Sequence, residues 1–327
     1  MKNELQKYFP LIRTREEVLD EIRKQESLQT IYEGWHAEQR EEFLDFCTGV
    51  RGVRMLYDSF FKEILNPDTV PERLNEFLTL LLGKKVKILH ALPNDSTRIA
   101  DECSLVIMDI VVQLEDGSLA NIEIQKIGYL FPGERSACYS ADLLLRQYKR
   151  VRGERKKKFS YRDIKTVYTI VLFEESTREF HEYPDTYVHH FKQTAETGLD
   201  INLLQEYFFI PLDIFGKIIH NTDIDTKLKA WLTFLCIDEP EMIVKLLGQY
   251  PGFRIMYEEV YAMCRNVERV MSMFSKELQE LDRNTVQYMI DEMQETIDRK
   301  DAELGQKDAE LDRALKIIEE LKKNQKE

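Results

Sequence analysis

No segment of the chain approaches the ~18 consecutive apolar residues that a membrane-spanning helix needs. The opening MKNELQKYFP has no signal-peptide apolar core. A cytoplasmic location with no membrane contact is expected. Cysteine is sparse: Cys47, Cys103, Cys138, Cys236 and Cys264 are odd in number, scattered and never spaced C-x-x-C, which argues against a disulfide frame and a cysteine zinc cluster. No glycine-rich phosphate loop exists, and the HExxH spacing of zinc proteases is absent. His181, His189 and His190 sit near Glu182 in HEYPDTYVHH, but Pro184 breaks any helix that would align them, so surface or capping roles are expected. Overall positive charge is missing too. A formal charge of −13 speaks against a protein coated with nucleic-acid contacts.

What is present is a core. The 327 residues are 43% hydrophobic and 10% aromatic, ample for one large or two smaller domains. Residues 1–50 read as a polar helical arm. RMLYDSFFKEIL and PERLNEFLTLLLG are amphipathic helices, the second with proline near its start and Gly83 as its stop. Between residues 51 and 221 the order of helix, strand, strand, strand, helix, strand describes an α/β core, a mixed sheet flanked by helices. The strands are expected at KVKILHAL, LVIMDIVVQL, LANIEIQ, IKTVYTIVLF and EYFFIPLDIF, and a helix at GERSACYSADLLLRQYKRV. Residues 222–275 carry apolar residues at helical spacing, a helical cap. Residues 276–327 read as a charged tail in one long helix. In it Ile297, Leu304, Leu311 and Ile318 recur every seven residues while the other seam holds Asp301, Asp308 and Leu315, so a weak coiled coil joining copies of the chain and a single exposed helix both fit.

One aspartate stands out. LVIMDIVVQL reads as a strand buried on both faces, yet it carries Asp109, and a lone buried carboxylate costs several kcal/mol, roughly, unless something compensates it. The following EDG is hairpin-turn chemistry, and LANIEIQ alternates so that Glu123 and Gln125 share a face. A two-residue loop would set Asp109 across from Ile124. A three-residue loop, Glu115-Asp116-Gly117, pairs Leu114 with Ser118, puts glycine at the left-handed position and sets Asp109 opposite Glu123. We adopt the second register. Two carboxylates about 5 Å apart at Cβ are unfavourable without a cation between them. Asp109 and Glu123 thus read as oxygen ligands for a hard cation such as Mg2+, or Mn2+ in its place, with Gln125 able to orient a water or a phosphate. The alternative is an Asp109 held by local hydrogen bonds as a core element.

Charge is also unevenly distributed. RQYKRVRGERKKKFSYRDIK, from Arg146 to Lys165, holds ten Lys/Arg against Glu154 and Asp163. Arg152, Arg155, Lys156, Lys157 and Lys158 are the candidate DNA contacts of this basic loop, and Tyr148, Phe159 and Tyr161 among them suit base stacking. A solvated loop is the plainer reading.

Asp109 on a hydrophobic strand, a turn and NIEIQ together resemble the PD-(D/E)XK nuclease superfamily, in the variant where glutamine replaces the usual lysine. YDSFFKEI ahead of the core, ERSACYSADLL after the Glu-x-Gln strand and VYTIVLF beyond it are similar to the layout of the Rpn family of recombination-promoting nucleases and transposases. The likeness spans roughly Leu56 to Trp231. It implies a restriction-endonuclease-like fold and a metal-dependent DNA endonuclease tied to transposition or recombination. Asp109 and Glu123 would be the metal ligands and Gln125 would stand in the lysine's place. Asp58 and Lys62 match the family's Asp-x-x-Phe-Lys element, although their i, i+4 spacing also suits an ordinary helix salt bridge. Because glutamine is uncharged, the resemblance implies either slow activity or a positive charge supplied by Lys62 or Lys126. The competing function is a catalytically weak or inactive protein that keeps the fold and binds DNA or partners.

Overall fold

The computed structural model describes residues 3–92, 110–126 and 132–324. Contacts divide the chain into two units, 1–281 and 282–327.

The first unit opens with four short helices, α1 (Glu4–Tyr8), α2 (Arg15–Arg23), α3 (Glu26–Gly34) and α4 (Ala37–Thr48). The first two start on capping boxes, Asn3 with Gln6 and Thr14 with Glu17, in which side chain and backbone satisfy each other's unpaired groups. Their apolar residues join the main core: Phe9 meets Tyr261 with ring centres 5.1 Å apart, and Trp35 meets Phe274 at 5.0 Å. Next come α5 (Asp58–Ile64) and α6 (Pro71–Leu82). Pro71 sits where a helix start tolerates a missing N–H, and Gly83 ends α6 at φ +64°.

The six-stranded sheet has the order β1-β2-β3-β4-β6-β5, from β1 (Ile88–Ala91), β2 (Ile110–Leu114), β3 (Leu119–Gln125), β4 (Val167–Phe173), β5 (His189–Lys192) and β6 (Gln205–Pro211). Strands β3, β4 and β6 are parallel; β1, β2 and β5 are antiparallel to their neighbours. The β2–β3 hairpin closes on the expected three-residue loop. Leu114 N donates to Ser118 O at 2.8 Å, Gly117 lies at φ +87°, and Ile110 pairs with Ile122 and Val112 with Ala120. A parallel step from β3 to β4 needs a crossover, and α7 (Pro132–Arg155) supplies it. Tyr139 and Leu143 of α7 pack on Val111, Leu119 and Val167. The opposite face of the sheet, with Ala120, Ile122, Ile170 and Leu172, belongs to the main core.

Three expectations are corrected. The basic window is not a loop. Through Arg155 it is the C-terminal part of α7, followed by 3-10 turns at Lys156–Lys158 and Tyr161–Asp163; lysine and arginine at a helix C-terminus complement the backbone dipole, so a charge run need not end a helix. EYFFIPLDIF is not one strand: β6 stops at Pro211, and Leu212 begins α9 (Leu212–His220), since a proline has no N–H to continue a ladder but suits the residue before a helix. The four-residue edge strand β5 adds a sixth strand to the five expected.

Beyond the short α8 (Arg178–His181) and α9, helices α10 (Lys227–Cys236), α11 (Pro240–Gln249) and α12 (Arg254–Cys264) pack on the core, and α13 runs from Val267 to Asn324. Val267, Val270, Met271, Phe274 and Glu277 of α13 are buried. They belong to the first unit, which extends past Lys276 to Leu281. In the second unit Ile297, Leu304, Leu311 and Leu315 are exposed. No helix among the described residues is long and apolar enough to cross a membrane.

Candidate functional site

Glu123 and Gln125 lie near the C-terminal end of β3, on the sheet face that α7 covers. In open α/β sheets the C-terminal ends of parallel strands are where ligands collect. Both side chains are buried, at 7% and 4% exposure, and Gln125 Nε2 has no hydrogen-bond partner among the described residues. Along the same face Asn121 and, directly across on β4, Thr169 are fully buried. A polar stripe thus runs between two apolar clusters, Val111, Leu119, Val167, Tyr139 and Leu143 on one side, Val171, Phe173, Phe180, Phe209 and Ile214 on the other. A buried polar group left unpaired costs about 1–3 kcal/mol. Asp109 lies outside the described residues.

The N-terminus of α5 is tied to this end of the sheet by an ion pair that sequence reasoning missed. Lys126, the residue after Gln125, points to the opposite face. Its ammonium group donates to Leu56 O at 2.8 Å, pairs with the Glu277 carboxylate of α13 and sits 5.2 Å from the centre of the Tyr57 ring. The second Glu277 oxygen accepts from Asp58 N at 3.1 Å. Lys126 and Glu277 are 6% and 2% exposed. Burial pushes the Glu277 carboxyl above the usual carboxylate range, with Lys126 pulling against it. Nothing local marks Glu277, because its partner is 151 positions away; the only signal is a glutamate on the apolar stripe that continues from Phe274. Asp58 and Lys62 form a partly exposed i, i+4 salt bridge at 2.6 Å. Of the two lysines considered as replacements for the missing charge, Lys126 is committed elsewhere and Lys62 is engaged with Asp58.

At the C-terminal edge of β4, Glu174 N donates to Gln125 O at 2.8 Å, and the Glu174 carboxylate lies 3.7 Å from Arg54. Arg54, Glu174, Asp213 and Asp238 border a cavity of about 530 Å3. Asp213 Oδ2 accepts from Ser176 Oγ at 3.0 Å and meets His181 Nε2 at 3.1 Å. Ser176, Asp213 and His181 converge on one His nitrogen and one carboxylate oxygen, which is not the geometry of a nucleophile–base–acid relay. His190 pairs with Glu206 at 2.8 Å, and His189 packs against Phe180 and Tyr183. Among the described residues no group of three or more His, Cys, Asp or Glu side chains is placed to hold a metal ion.

The candidate DNA contacts are not brought to this end. Tyr139 and Leu143 of α7 pack against Leu119 and Val167, the first residues of β3 and β4, and further along the helix Gln147 accepts from Lys165 N at 2.6 Å just before β4. Twenty residues separate Arg135 from Arg155, about 30 Å of helix. Arg152, Arg155, Lys156, Lys157 and Lys158 therefore gather at the opposite end of the sheet. Arg155 lies 3.4 Å from Asp163, and Arg152 bonds the Tyr148 hydroxyl. Tyr148, Phe159 and Tyr161 pack on one another, the two tyrosine rings nearly parallel at 9° with centres 6.1 Å apart. Tyr139 is core, and Arg146 pairs with Asp142 at 2.7 Å.

No curated protein and no solved structure matches this chain. A family model does, over residues 55–293, and its description is PD-(D/E)XK nuclease family transposase. The match takes in every strand of the sheet, the crossover helix and the part of α13 that carries Glu277. By that match, and by a mixed sheet with a buried Glu-x-Gln at the end of its central strand, the chain belongs to the PD-(D/E)XK nuclease family transposases.

Proposed function

We propose that the protein is a metal-dependent DNA endonuclease acting in transposition or recombination. The observation that carries this reading is the buried Glu123 beside Gln125 at the C-terminal end of a parallel strand, in a chain of this family. Asp109 and Glu123 would hold Mg2+ or Mn2+: their oxygens are the donors that a hard cation prefers, and the hairpin register carried one step past Ile110 would set them opposite each other. When bound, the ion would lower the pKa of a water and draw charge from a phosphoryl oxygen. Gln125 offers an amide that would orient the attacking water or the scissile phosphate. Asp58, which opens α5, and Lys62 in its last turn would be supporting residues of the site. Arg152, Arg155, Lys156, Lys157 and Lys158 would grip the DNA backbone away from the point of cleavage.

One observation favours the competing reading of a weak or inactive DNA-binding protein. The position usually held by lysine is Gln125, and neither Lys126 nor Lys62 is left unengaged. Supercoiled plasmid incubated with the purified protein in Mg2+, in Mn2+ and in chelator separates the two. The nuclease reading expects metal-dependent nicking that Glu123→Gln abolishes. Binding without any nicking would establish the other. The exposed heptad residues Ile297, Leu304 and Leu311 support a further role for the tail, the pairing of copies of the chain.

A further inference from the structure

Asn121 is fully buried, and neither its Nδ2 nor its Oδ1 has a hydrogen-bond partner among the described residues; the same holds for the hydroxyl of Thr169. The two residues stand directly opposite each other on β3 and β4. Parallel neighbours lie about 4.8 Å apart, so one small molecule can reach both side chains. A primary amide has two donor hydrogens and an acceptor oxygen, and a hydroxyl both donates and accepts. Buried groups of this kind are commonly satisfied by ordered water, which typically makes about three hydrogen bonds. Towards the start of the strands the stripe ends at the apolar Leu119 and Val167. Towards their C-terminal ends the next residue on the same face is Glu123.

We propose that Asn121 and Thr169 hold an ordered water behind Glu123 and act as positioning residues for its carboxylate. The water bridges β3 to β4 beneath α7 and limits the rotamers open to the glutamate. The site itself is independent of the reaction; its catalytic consequence rests on the nuclease reading above. Supporting groups behind a ligating carboxylate are commonly worth about 10–100-fold in activity or metal affinity.

The test uses the full chain with Thr169→Val, Thr169→Ser and Asn121→Leu. A high-resolution crystal structure of the wild type should show a water within hydrogen-bond distance of both side chains. Thr169→Val, close to threonine in shape, should lose that water and cut plasmid about tenfold or more slowly at unchanged KM. Thr169→Ser should retain both water and rate. Should Asn121→Leu fail to fold, the two threonine variants still decide. A crystal structure with no water between Asn121 and Thr169 overturns the proposal, as does a valine variant that cuts at the wild-type rate. If the wild type cuts nothing, the nuclease reading fails, and the water site then stands or falls on the crystal structure and on whether Thr169→Val weakens Mg2+ binding.

Discussion

Lys126 and Glu277, 151 positions apart, meet in a buried ion pair that joins the end of the Glu-x-Gln strand to the terminal helix. Leu56 O and Asp58 N complete the hydrogen bonding around it. Removing one member leaves a charge in the interior, whereas replacing both with apolar residues of similar volume is often neutral or stabilising. Lys126→Met should therefore destabilise the protein by about 3–5 kcal/mol, and Lys126→Met with Glu277→Leu should recover most of it. Urea melts of the four proteins in a double-mutant cycle would measure the coupling; strictly additive effects would mean that the pair carries no interaction energy.

The same pair locates the shortest stable chain. A protein ended after Lys276 lacks Glu277 and strands Lys126, so it should lose as much stability as Glu277→Leu alone. One ended after Leu281 should melt like the full chain, because the compact unit closes there. Sedimentation of that truncation beside the full chain would also report on the tail, whose removal should abolish any self-association.

Burial raises the pKa of the Glu277 carboxyl, and the sign of the linkage follows. The folded protein holds this proton more tightly than the unfolded chain, so the stabilisation is complete below the ordinary carboxylate pKa and is lost as pH rises through the elevated one. Lys126→Met takes away the cation that restrains the shift, so the decline in Tm should extend to higher pH. Glu277→Gln should remove this component of the Tm–pH profile; a profile identical to the wild type would rule Glu277 out as its source.

Metal binding can be read without any cleavage. A cation that binds only the folded state adds about 2.7 kcal/mol at a hundredfold excess over Kd. Magnesium should raise the Tm of the wild type and not that of Asp109→Asn or Glu123→Gln, while in chelator both variants should match or exceed the wild type because carboxylate repulsion is relieved. Variants that melt lower in chelator, with no magnesium shift in any protein, would make Asp109 a core element.

DNA affinity should respond to salt through the basic end of α7. Changing Arg152, Arg155, Lys156, Lys157 and Lys158 to glutamine should flatten the dependence of log Kd on log salt by about 0.9 for each phosphate that is no longer neutralised. An unaltered slope from fluorescence titrations would return these residues to a solvated helix end.

What could be read in advance had local causes. The register of the β2–β3 hairpin followed from side-chain parity and one glycine able to take a positive φ, and α6 was bounded by Pro71 and Gly83. What escaped depended on partners remote in sequence. β5 is four mostly exposed residues whose strand conformation comes from pairing with β6, and HHFK has no alternation to announce it. The helix over Arg152 and Arg155 was hidden because a charge run looks the same on a helix end as in a loop. Within the site, Glu123 and Gln125 were legible from the motif, but Asn121 and Thr169 become conspicuous only when the two strands are laid side by side, and Glu277 only when α13 is docked.

The length of α7 sets a scale. The basic cluster lies at the end of the sheet opposite Glu123 and Gln125, and about 30 Å of helix separates Arg135 from Arg155. A straight duplex held by the cluster and cut at Glu123 would be broken at a fixed distance from its anchor, set by the sheet and by the length of α7. A helix of fixed length would in that case serve as a measuring rod, and lengthening it would move the cut.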